Sequence, residues 1–165
     1  MDQRCEHHLV ITKNNIMTTR NVGLAIAISI CATFMACDKN YNNAPALRKK
    51  EYALKPVGAS GVTGKVTISE NADKSFNVLL VLDKSVKDTI HISHIHSGSI
   101  SAPGPVAISL SNITGTGGTA QATTNSINTF TYDSLLTYNG YINVHYSASR
   151  LDSLVTQANI GKNGP

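Results

Sequence analysis

The chain has 165 residues, which allows one domain with a modest core and little else. Trp is absent and aromatics are scarce, while Gly, Ser, Thr and Asn are frequent and Val and Ile spread through the C-terminal part; that mix favours strands joined by polar turns over a helical bundle. The net charge is +4, but the Lys and Arg are scattered and form no stripe interleaved with aromatics, so nucleic acid is not expected as a partner.

The first element is an apolar run, Asn21 to Ala36, with no charge in it. Arg20 precedes it, and the polar stretch Cys37-Asp38-Lys39-Asn40 follows at once. The run is short for a bilayer span, which needs about 20 apolar residues, and fits the core of a signal peptide. Met17-Thr18-Thr19-Arg20 reads as the start of a compact leader, with residues 1–16, including His7 and His8, upstream of it. Thr33-Phe34-Met35-Ala36-Cys37 resembles a lipobox, with Phe34 where a Leu is usual. The resemblance implies cleavage before Cys37 and lipidation of its sulfur. The leader is therefore expected over residues 1–36. The cysteines are Cys5, Cys31 and Cys37, so the mature domain is expected to be free of disulfides.

Residues 37–57 read as the lipidated cysteine and a flexible tether, with Arg48, Lys49 and Lys50 as a solvated cluster. The domain is expected over 58–165. Val62, Val66 and Ile68 share one side of a first run, and Phe76, Val78, Leu80 and Leu82 one side of a second. Asn71-Ala72-Asp73-Lys74 between them predicts a hairpin. Thr89–His96 alternates again, Ser97–Gly104 reads as a Ser/Gly/Pro loop, and Val106, Ile108 and Leu110 form a further set. Gly115–Gly118 is a turn and Thr119–Thr124 a strand. Ser126–Leu136 fits no single period. In Gly140–Ser147, Tyr141, Asn143 and His145 share one side. Leu151–Ile160 is expected to begin as a helical turn and end as a closing strand. Many short strands with frequent turns predict an all-β antiparallel sandwich or barrel.

Four histidines lie in this domain: His91, His94, His96 and His145. His94 and His96 are two apart on a strand, so both leave the same face. Neutral imidazole suits copper and zinc, and a third histidine on a neighbouring strand would complete a site. His145 is the natural third ligand. By strict alternation His91 points to the opposite face. A set of hydrogen-bonded, metal-free histidines is the plain alternative.

His91-Ile92-Ser93-His94-Ile95-His96-Ser97-Gly98, followed by Pro103-Gly104-Pro105-Val106, resembles the core motif of the CHRD domain family. Tyr141-Ile142-Asn143-Val144-His145 resembles its second hallmark, an aromatic-x-Asn-Val-His run. The likeness covers about Gly58 to Gly161. It departs at Ala158-Asn159-Ile160-Gly161, which lacks the charges of the family's closing strand. The same motifs are similar to the copper-ligand runs of copper/zinc superoxide dismutase, with His94, His96 and His145 at three ligand positions. The bridging histidine of that family has no counterpart here. These resemblances imply a Greek-key sandwich or barrel, immunoglobulin-like or superoxide-dismutase-like, and a three-histidine site preferring copper over zinc.

The preferred function is a cell-envelope lipoprotein whose β domain is a binding or structural module, anchored to the membrane at Cys37 and facing a protein or surface ligand of unknown identity. The alternative is a copper-dependent, superoxide-dismutase-like enzyme or a copper-handling protein. No catalytic residue is assigned: neither a Gly-x-Ser-x-Gly turn nor a phosphate loop is present.

Overall fold

The computed structural model describes residues 47–165. The expected leader, the cleavage site at Cys37 and the first part of the expected tether lie outside the described residues. The elements in chain order are β1 (Lys49–Pro56), β2 (Gly64–Glu70), β3 (Phe76–Leu82), β4 (Ile90–His91), β5 (Ser93–Ser99), β6 (Ala102–Ser109), β7 (Ile113–Thr114), β8 (Ala120–Ile127), α1 (Tyr132–Leu136), β9 (Asn139–Ser147) and β10 (Arg150–Gly161). Eight strands form one curled antiparallel sheet in the order β6-β5-β9-β10-β1-β2-β3-β8, and β4 pairs with β7 apart from it. The fold is all-β, a sandwich closing toward a barrel, as the alternating runs predict. Strand β10 returns beside β1, giving the β10-β1-β2-β3 neighbourhood of a Greek key.

The core follows from the pleat. Along β3, Phe76, Val78, Leu80 and Leu82 are buried while the residues between them are half-exposed. They pack with Val66 and Ile68 of β2 and with Ile95, Ile142, Val144 and Ile160 from the other half of the sheet. The expected β2–β3 hairpin forms, with Glu70 opposite Phe76 and Gly64 opposite Leu82. Its turn is fixed by Asp73, whose carboxylate accepts from the Ser75 amide (3.0 Å), and by Lys74 at a φ of 72°.

Four expectations need correction. The tether ends earlier than Val57: Lys49–Pro56 is strand β1, with Tyr52 and Leu54 buried in the core. Lys49 and Lys50 belong to this strand, and Arg48 grips the carboxylate of Glu70 through two bonds of 2.8 and 2.9 Å. Strand β1 also joins the two halves of the sheet. Its residues 49–54 pair with β2, and Lys55 and Pro56 pair with Gln157 and Thr156 of β10.

The run Thr89–His96 is not one strand but two. The break falls at Ile92, because β4 pairs with β7 whereas β5 pairs with β6 and β9. The Ser97–Gly104 stretch is not a loop but the end of β5, a tight turn at Ile100-Ser101, and the start of β6. Its prolines, Pro103 and Pro105, are tolerated because β6 is an outer strand of the sheet, where a missing N–H breaks fewer ladder bonds. Gly98 takes a φ of 89° there. Finally, Leu151–Ile160 contains no helical turn; the helix is α1, inside the stretch that had no clear period. Thr131 caps it by accepting from the Ser134 amide (3.2 Å), and Tyr132 and Leu135 are buried.

Candidate metal centre

Strands β5 and β9 are neighbours in the middle of one half of the sheet. Their register places Ser93 opposite Val144, His94 opposite Asn143, Ile95 opposite Ile142 and His96 opposite Tyr141. Ile95, Ile142 and Val144 point into the core and are fully buried. The alternating set, His94, His96, Tyr141, Asn143 and His145, therefore occupies the other face. His145 is the diagonal neighbour of His94 on that face, and its amide donates to the Ile92 carbonyl (2.8 Å) at the strand break.

This register brings the three expected ligands together. His94, His96 and His145 each offer a ring nitrogen within 4.8 Å of the others. Three nitrogens about 2.0–2.1 Å from one ion lie no more than about 4.2 Å apart, so small ring rotations suffice to close the set. The cluster can hold a metal ion. The rings meet edge to face, His94 against His96 at 5.8 Å and against His145 at 5.3 Å between centroids. Tyr141 stacks on His96 at 5.0 Å and fixes its plane.

Backbone carbonyls set the tautomers. His96 donates from Nδ1 to the Gly104 carbonyl (3.1 Å), and His145 donates from Nδ1 to the Leu151 carbonyl (2.6 Å). Both rings then present a bare Nε2 to the cluster. This is the usual outer support of a metal-bound imidazole, which donates its other N–H to a carbonyl or carboxylate. The Nε2 of His96 is buried and has no hydrogen-bond partner. The Nε2 of His145 lies 3.3 Å from Nδ1 of His94, a contact made by one proton that a metal ion would replace. Burial, reinforced by His145 and then His96, pulls the His94 pKa down. Burial also lowers that of His145, against an opposing effect of the Leu151 carbonyl. Both shifts favour the neutral ring that binds metal.

His91 stands on the opposite face, as alternation predicts, and is fully buried. Its Nε2 accepts from the Val86 amide (3.1 Å), and its Nδ1 donates to the His145 carbonyl (3.0 Å). It is a core histidine with both nitrogens satisfied, and it pins the backbone of a candidate ligand from behind.

A family model for the CHRD domain matches residues 46–150, well over half of the chain. The chain belongs to the CHRD domain family. The match takes in β1 to β9 and with them all four histidines, and it stops where β10 begins. It also starts before β1, in keeping with the strand in place of a tether. No curated protein and no solved structure matches the chain. The CHRD domain here is a β module with a three-histidine cluster on its outer face. The motif His-x-His with a distant Asn-x-His made the ring-bearing residues readable. The carbonyls of Gly104 and Leu151 carry no side-chain signature and could not be found that way.

Proposed function

We propose that this CHRD domain is an exported binding or structural module, held at the cell envelope by lipid on Cys37, that carries one transition-metal ion on His94, His96 and His145. The observation that carries the metal assignment is the buried, unpartnered Nε2 of His96, in a cluster with two other imidazoles. A buried acceptor with no donor is costly, and a Lewis acid relieves it. Copper is preferred over zinc. All three donors are imidazoles, copper stands above zinc in the usual affinity order, and no fourth protein ligand joins the cluster among the described residues.

Copper bound there would supply one-electron redox chemistry; the protein's own residues would hold and orient it. Tyr141 keeps the His96 plane, and the Gly104 and Leu151 carbonyls keep two lone pairs aimed inward. The domain would thus act as a copper-holding module, with turnover of superoxide as the second reading.

The test compares full-length protein with the H94A/H96A double variant, each loaded with excess copper and passed through a desalting column. Wild type should retain one copper per chain more than the variant, a difference that removes any contribution from the cysteines and His7-His8. Equal retention would sink the metal site. Membrane fractionation with and without Cys37→Ser tests the anchor; an unchanged distribution would remove it.

A further inference from the structure

The histidine face carries a second orphan. Asn143 is only 8% exposed, and its side-chain oxygen is buried without a hydrogen-bond partner. It lies directly opposite His94 in the β5–β9 register, and on β9 it stands between Tyr141 and His145 on the same face. Cross-strand partners in this register have Cβ atoms about 4.5–5.5 Å apart, close enough for one small molecule to touch both side chains. No structural partner explains the amide, and an apolar residue of its size would fill the place at lower cost. The unmet need on this face is thus for a Lewis acid at His96 Nε2 and for an O–H or N–H donor at Asn143 Oδ1.

We infer that Asn143 is a positioning residue for the small exogenous ligand that shares the three-histidine site: its carbonyl oxygen accepts a hydrogen bond from a water molecule or another small O–H ligand beside the ion. This rests on the metal reading above and adds the ligand class. Three histidines leave a coordination position for a non-protein ligand. Asn143, opposite His94 on the same face, offers an acceptor to that ligand. Ligands that bring their own hydrogen (water, an alcohol, a hydroperoxide) satisfy Asn143. Bare anions such as azide do not, and meet its partial negative charge instead.

The test uses copper-loaded full-length protein titrated with azide, followed by the azide-to-copper absorption band and by electron paramagnetic resonance. Two variants accompany wild type. N143L removes the acceptor and keeps the branched shape; N143D keeps an acceptor at the same place. Azide should bind N143L about two- to tenfold more tightly than wild type, the worth of one hydrogen bond that no longer holds the competing water. N143D should bind azide no more tightly than wild type. All three should retain the same copper. Equal azide affinity in wild type and N143L, with copper retained, overturns the role of Asn143 and leaves the metal site standing. Loss of copper from folded N143L also overturns it, since Asn143 would then be a ligand to the ion itself. Absence of histidine-dependent copper in wild type removes the metal site first and this inference with it.

Discussion

Replacing His91 by Leu separates the two jobs that histidines perform in this domain. The ring is fully buried, and Leu is close enough in volume to leave no large cavity. The substitution orphans two backbone groups, the amide of Val86 and the carbonyl of His145, which now bond the ring at 3.1 and 3.0 Å. A buried polar group left without its partner costs about 1–3 kcal/mol, so the pair should cost about 2–5 kcal/mol after partial relaxation. For a domain with about 5–15 kcal/mol of stability that is a large fraction, though not enough to unfold it under mild conditions. With a urea slope of about 2 kcal/mol/M, in the middle of the usual range, the unfolding midpoint should fall by about 1–2.5 M. The assay is urea unfolding followed by far-ultraviolet circular dichroism, on metal-free protein. Copper retention by the folded variant should match wild type. A midpoint shift near zero would refute the bonding assigned to His91, and loss of copper from folded protein would show that its bond to the His145 carbonyl is needed to hold the site.

Three further outcomes follow from other parts of the structure. Arg48 holds the Glu70 carboxyl down to about 2, so the stability this pair contributes is present above the ordinary carboxylate range near 4.5 and is lost as pH falls from there toward 2; in E70Q the urea midpoint should change less over that window than in wild type, and parallel profiles would dismiss the pair. His94 and His145 titrate below the ordinary value of 6.5, so metal-free protein should lose stability as pH drops below about 6.5, where the unfolded chain takes up protons first; H94Q should flatten part of that slope, and an unchanged slope would count against the burial of the ring. Gly98 has a φ of 89°, a conformation that suits glycine, and G98A should lower the thermal midpoint by several degrees through about 1–3 kcal/mol of strain at the β5–β6 turn; a midpoint within one degree of wild type would show that the turn relaxes freely.

Much of the fold was readable wherever apolar residues alternate without interruption. The β2–β3 hairpin and β9 are such cases, and so are the shared face of His94 and His96 and the opposite placement of His91. Strand β1 was hidden because only Tyr52 and Leu54 alternate inside Lys49-Lys50-Glu51-Tyr52-Ala53-Leu54-Lys55-Pro56; its charged outer face looks like a linker. The break at Ile92 leaves no local mark, since alternation continues across it while the pairing partner changes. The β5–β6 hairpin was masked by prolines that only an outer strand tolerates. At the site, the side chains could be named from spacing, whereas the carbonyls that set their tautomers depend on how β6 and the β9–β10 turn fold back.

Strand β1 has one consequence for anyone who trims this protein. A fragment starting at Gly58 would keep every histidine of the domain and would look intact by motif. It would lack the one strand that hydrogen-bonds to both β2 and β10. Each of those strands would then show a bare row of amides and carbonyls to solvent, the kind of template on which separate molecules stack edge to edge. The seam that makes the two halves one domain thus also covers a strand edge in each of them.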